Sequence, residues 1–329
     1  MGCWVGAGAK GDEVKLRTTL IAAAVAVCLL LPMFLSRGAV DLLVFICIYS
    51  IAGLGVGLLL GQCGIANLGQ TAFYGIGAYA TAFVTVQMQG SPWAGLALGS
   101  GVAGLLALLV GWPVLRLTGY FLALATLALG IIATALFYEW IWLTGGDLGI
   151  GGIPKIVLFG TALDTPVKFY YLALAALALC MLVAHNMVTS RTGLMLRAMR
   201  DAPDAAISLA INVRWLRTRI FILSAVLGSI AGSLLAHYTG FVNVQSYGIG
   251  KTIIFLLIPV LGGTKSLWGI VVGAIFVTVL PEMLSGFGQI HQILFGLALV
   301  AVVVLMPDGL LGGAEAMFRR RTVPGTARS

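Results

Sequence analysis

Gln62, Asn67, Gln70 and Thr71 stand close together in an otherwise apolar stretch. Their amides and hydroxyl can donate and accept hydrogen bonds, but they cannot exchange protons near neutral pH. The chemistry open to them is recognition, either of a solute in a water-filled path or of a neighbouring helix. The more reactive residue types are scattered. His185, His237 and His291 fall near the ends of separate apolar runs, as do Asp41, Glu139 and Glu282, so no nucleophile with its base, metal set or carboxylate pair is assembled. Cys3, Cys28, Cys47, Cys63 and Cys180 form no C-x-x-C pair and read as small apolar residues. Gly250-Lys251-Thr252 ends like a phosphate-binding loop, yet Gln245 stands where that loop needs its first glycine. No catalytic residue, metal or cofactor is expected, and the pattern argues against an enzyme.

The elements that hold these residues must be membrane helices. Of 329 residues 60% are hydrophobic and only 9% charged, too little polar surface to coat a soluble globule. The net charge of +8 is dispersed between apolar runs rather than gathered on one face, which argues for membrane topology and against nucleic acid. Stretches near the 20 residues a span needs lie at about 18–36, 39–60, 65–88, 93–114, 119–142, 168–188, 219–238, 248–262, 266–285 and 289–306. The expectation is an all-α, polytopic bundle of about ten spans. Residues 1–17 form a cytoplasmic tail, 18–306 the transmembrane domain with a cytoplasmic loop at 190–218, and 307–329 a second cytoplasmic tail. Only Arg37, Lys155, Lys168 and Lys251 of the 19 lysines and arginines then fall outside, as basic residues do when they set orientation.

Two stretches position the rest. Gly53, Gly57 and Gly61 recur every fourth residue, a spacing that lets helix backbones approach closely. Ser190 to Ile220 carries Arg191, Arg197, Arg200, Arg214, Arg217 and Arg219 with Asp201 and Asp204, and a bilayer would charge about 2.5–3.5 kcal/mol for each at its centre. Within it a short helix is expected, with Asp201 as N-cap, Pro203 in the first turn and Asp204 near the positive end. Ala205, Ala206, Leu209 and Ala210 give it a small apolar face. The long loop Thr144–Val167, rich in glycine, is expected outside; such a segment is usually a plain connection, and its length of more than 20 residues raises the odds of a docking or gating role.

Five stretches in order resemble the permease subunits of ABC importers for branched-chain amino acids, relatives of the ribose and urea permeases: GLGVGLLLGQCGIANLGQTAFYGIGAYA (53–80), TGGDLGIGGIP (144–154), GLMLRAMRDAPDAAISLAINV (193–213), VLGGTKSLWG (260–269) and PDGLLGG (307–313). The resemblance covers most of the chain after Val40. It implies a multi-pass protein of the bacterial inner membrane, paired with a second, related permease. Two cytoplasmic ATP-binding subunits would lie beneath the pair, and an extracytoplasmic binding protein would deliver the solute. The solute path is expected near Asn67, Gln70, Phe73 and Tyr74, and the coupling helix at Asp201–Ile211, with Arg200, Asp201, Asp204, Ala205, Ala206, Leu209 and Ile211 meeting the ATPase. The family usually has histidine where this chain has Gln70, so hydrogen bonding is kept and proton exchange lost. A permease for urea or a short-chain amide is the alternative of the same class, and an ion-coupled secondary transporter that of another.

Overall fold

A computed structural model describes residues 29–158, 160–202, 206, 208–209, 212–264, 266–306 and 309–310. The first span expected at 18–36 lies mostly outside them, as do both expected tails, Asp204, Ala205, Ala210, Ile211 and Pro203. Among the described residues seven stretches are long and apolar enough to cross a membrane: α1 (Arg37–Cys63), α3 (Pro92–Val114), α4 (Gly119–Glu139), α6 (Pro166–Thr189), α8 (Val213–Thr239), Val244–Gly262 and α10 (Leu267–Leu284). Between them lie α2 (Gln70–Ala82), the short α5 (Ile141–Thr144) and α7 (Arg191–Asp201); α9 (Ile249–Gly262) is the helical part of the Val244–Gly262 stretch, and α11 (His291–Leu305) ends the bundle. The protein is an all-α, polytopic bundle. Of the remaining expected spans, 65–88 proves to be α2 running into a π-helical turn at Phe83–Gln87, after a non-helical stretch at 65–69, and 289–306 is the 15-residue α11.

Local chemistry sets the helix ends. Ser91 and Thr165 cap α3 and α6 by accepting from Ala94 N (3.2 Å) and Lys168 N (3.4 Å), each with proline at the first helical position. Gly64 and Gly240, at φ 68°, stop α1 and α8 in the left-handed conformation that glycine enters without steric penalty. The expected start of the span at 219 is corrected to Val213. Asn212 caps it, its side chain accepting from Trp215 N at 3.1 Å. Arg214 and Arg219 sit in the helix with their guanidinium groups over the rings of Trp112 (5.6 Å) and Trp215 (5.0 Å).

Burial divides the bundle into an inner and an outer set. In the most apolar window of α1 and of α8, 78% of residues are buried, against 28% in α3, α4 and α10. The outer helices accordingly present Leu105, Leu109, Ile132, Leu179 and Leu182 on the surface, as lipid-facing helices do. Inside, α2 is wrapped chiefly by α8 and α3, with backbones in contact: a methyl group at Gly232 would strike the Tyr74 carbonyl, and one at Gly77 the Ser229 carbonyl.

The loop after α4 is pinned rather than free. Its β1 (Ile150–Gly151) pairs antiparallel with β4 (Phe241–Val242), directly after α8, and β2 (Val157–Leu158) pairs with β3 (Thr161–Ala162). Gly149 leaves no room for a side chain against the Val242 carbonyl.

Candidate functional site

Asn67 and Gln70 meet in one buried network, to which Gln62 and Thr71 do not contribute. Asn67 Oδ1 accepts from Gly69 N (2.9 Å) at the entry to α2, and its Nδ2 donates to Gln70 Oε1 at 3.2 Å. Ser224 Oγ on α8 donates to the same Oε1 at 2.9 Å. Gln70 Nε2 donates to the carbonyls of Ser224 on α8 (3.0 Å) and Ala52 on α1 (3.4 Å). One amide thus ties three helices, all its capacity used. Gly55 and Gly228 make space for it, since a Cβ at either would lie 2.7 Å from Nε2. Further ties are Thr71 Oγ1 to Thr252 Oγ1 on α9 (2.6 Å) and Thr81 Oγ1 to Ser233 Oγ on α8 (2.8 Å).

Asn67, Gln70, Phe73 and Tyr74 are brought together on α2 and its entry, each at most 1% exposed. Phe73 packs edge-on against Phe221 (5.5 Å), and Tyr74 against Phe255 (5.0 Å) and Tyr247 (5.6 Å). Gln62 is also buried. The hydroxyls of Tyr74 and Tyr79 are buried without a partner among the described residues.

Gly53, Gly57 and Gly61 lie along one face of α1. A Cβ at Gly53 would sit 2.6 Å from Ile258 of α9, and at Gly57 it would meet Ile270 of α10. At Gly61 it would strike the carbonyl of Thr264 between these two helices. At Gly61 the obstacle is backbone, which cannot step aside as the isoleucine side chains facing Gly53 and Gly57 can.

The arginine-rich hairpin is described in its two arms, α7 and the first turns of α8, and α7 packs against α1 where that helix ends. Gly193, Leu196 and Met199 turn inward, while Leu194 and Met195 are exposed among the arginines. Arg200 lays its side chain over Gly64 and donates from Nη1 to the Gly61 carbonyl. The expected cap is corrected: Asp201 is the last residue of α7, its exposed side chain off any helix start. The Ala202 carbonyl beyond it accepts from Ala206 N at 3.1 Å. The expected apolar face also divides. Ala206 is 1% exposed and joins the core, whereas Leu209 is 74% exposed. Sequence reasoning missed Leu194 and Met195, although α7's buried residues recur at helical spacing.

Two charges were likewise missed as participants. Lys251, at the start of α9, donates to Tyr49 OH at 2.6 Å and lies 4.6 Å from that ring's centroid. Asp41, near the start of α1, accepts from Tyr238 OH. Both pairs join residues about 200 apart in the chain, and no local pattern marks them. Among the described residues no group of histidine, cysteine, aspartate or glutamate could hold a metal ion.

Known proteins match the chain along most of its length. The profile of the family described as branched-chain amino acid transport system / permease component matches residues 38–306. The high-affinity branched-chain amino acid transport system permease protein LivM of Escherichia coli (strain K12) is 31% identical, over 92% of this chain and 76% of its own. The permease protein LivH of the correspondingly named system of Salmonella typhimurium is 23% identical, over 81% of this chain and 92% of its own. The autoinducer 2 import system permease protein LsrC of Klebsiella pneumoniae is 34% identical over 54% of this chain. With its buried amide-bonded helix, glycine-faced α1 and arginine hairpin on seven apolar stretches, the chain belongs to the branched-chain amino acid transport system permease family, as a multi-pass protein of the bacterial inner membrane.

Proposed function

We propose that this chain is the membrane permease of an ATP-driven importer for leucine, isoleucine, valine or similar small amino acids. The observation that carries the reading is the hairpin. Leu194, Met195 and Leu209 present apolar surface between arginines, and Arg200 ties the same hairpin to the end of α1. That combination suits a helix seated in a groove of a soluble partner. Force applied there would reach the glycine-faced α1 directly. The hairpin and both termini are cytoplasmic in this reading, the chain crosses the bilayer about ten times, and the loop Thr144–Val167 faces outward. Two ATP-binding subunits engage the hairpin, at Arg200, Asp201, Asp204, Ala205, Leu209 and Ile211, and an extracytoplasmic solute-binding protein docks opposite. A second, related permease completes the pair; the similarity of this chain to both LivM and LivH, permeases of systems with the same name, supports that arrangement.

The solute path runs beside α2. Its wall is the tightly packed array of Asn67, Gln70, Phe73 and Tyr74, closed here to solvent, and it opens when α1 and α8 shift relative to α2 in an alternating-access cycle. The test is uptake of labelled leucine into vesicles holding the permease pair, the ATP-binding subunits and the binding protein, at zero ion gradient. Uptake that requires ATP is expected. Uptake that persists without the ATPase, or that needs an ion gradient, overturns the reading.

A further inference from the structure

We propose that the cavity between α1, α6, α8 and the loop after α4 is a reception site for a zwitterionic α-amino acid with an aliphatic side chain, a proposal that rests on the importer reading above. The cavity measures about 280 Å³ and is lined by Asp41, Phe45, Lys155, Leu163, Phe169 and Tyr238, among others. It lies at the end of the bundle away from the arginine hairpin, since Asp41 stands near the start of α1 and Tyr238 in the last turn of α8.

Its walls carry one charge of each sign, and neither is consumed by the other. Among the described residues Asp41 and Lys155 take part in no ion pair. The Asp41 carboxylate is held by the Tyr238 hydroxyl, and Lys155 Nζ donates to the Asp164 carbonyl at 3.1 Å. His237 also lines the cavity, but its Nδ1–H donates to the Pro154 carbonyl at 2.8 Å, which occupies that nitrogen. Charges oriented by neutral groups keep lone pairs and protons for an ionic ligand. Between them stand Phe45 and Phe169, both packed against the Tyr238 ring (5.8 and 4.9 Å), and the buried Leu163. A ligand ammonium on Asp41, its carboxylate on Lys155 and its aliphatic chain on this wall would match every feature, whereas a ligand with a single charge leaves one side unanswered.

The experiment is saturation-transfer NMR on the full-length chain in phospholipid nanodiscs. The probes are L-leucine, 4-methylpentanoate, which lacks the ammonium, and 3-methylbutylamine, which lacks the carboxylate. Leucine should bind about tenfold more tightly than either analogue, the worth of one charge-assisted hydrogen bond. Asp41→Asn, whose amide oxygen still accepts from Tyr238, should erase the preference over 4-methylpentanoate alone. Lys155→Met, in an exposed position, should erase the preference over 3-methylbutylamine alone. No leucine binding to the unaltered chain, or losses that do not follow the missing charge, overturns the site. Charge-matched leucine binding without ATP-driven uptake by the assembled importer sustains the site and refutes the importer reading. ATP-driven uptake without such binding does the reverse.

Discussion

Replacing Gln70 by leucine removes a side chain that bonds α2 to both α1 and α8, and the cost can be worked from its partners. Four hydrogen bonds disappear, to Asn67, Ala52 and twice to Ser224. Interhelical hydrogen bonds in membranes average about 0.6 kcal/mol, which gives a floor of about 2 kcal/mol. The two carbonyls keep their helical partners, but Asn67 Nδ2 and Ser224 Oγ are left buried without the oxygen they shared. At about 1–3 kcal/mol for each stranded group the ceiling is about 6 kcal/mol. Gln70→Leu should therefore lower the stability of the purified chain by about 2–6 kcal/mol, read by chemical unfolding in detergent micelles. Gln70→His, which offers one donor and one acceptor in its neutral form, should fall between. Unchanged stability would refute this reasoning, for it would mean that the four hydrogen bonds of Gln70 do not hold the bundle.

Three further outcomes are expected. Gly61→Ala should cost about 1–3 kcal/mol, because the new methyl group meets the Thr264 carbonyl and backbone cannot step aside; Gly101→Ala, with nothing within 4 Å of the added carbon, should not destabilise the chain, and equal losses in a thermal unfolding series would contradict the packing argument. Leu209→Glu should leave folding unchanged and cut leucine uptake about tenfold per ATP hydrolysed by the assembled importer, whereas Ala206→Glu should impair folding, since Ala206 is buried; an unaltered transport-to-hydrolysis ratio for Leu209→Glu would remove the hairpin from the coupling. The Thr71→Val and Thr252→Val pair should show a coupling of about 0.6–1.7 kcal/mol in a double-mutant unfolding cycle, and strict additivity would mean that the 2.6 Å contact contributes nothing.

Long apolar helices were legible because the hydrocarbon imposes length and composition together; α3, α6 and α10 begin within two residues of where hydropathy puts them. Charge misled at α8. Arg214, Arg217 and Arg219 read as loop, but a helix can enter the headgroup region with arginines on its rim, stacked on tryptophan. The break at 65–69 hid within an apolar run, since what stops α1 is the conformation of Gly64, and glycine is too frequent here to mark one position. At the candidate site the polar residue types were visible while their partners were not. Gln70 bonds a serine 154 residues away. Only the folded arrangement shows that its amide is fully occupied, and only there do Asp41 and Lys155 line one cavity.

The strand that follows α8 is hydrogen-bonded to β1, and the helix itself starts beside the hairpin. At 1.5 Å per residue its 27 residues make a rod of about 40 Å. If the proposed ATP-binding subunits grip the hairpin and the proposed binding protein docks at this ladder, the rod joins the two, and thermodynamic linkage makes the effect of nucleotide on docking equal to the effect of docking on the grip.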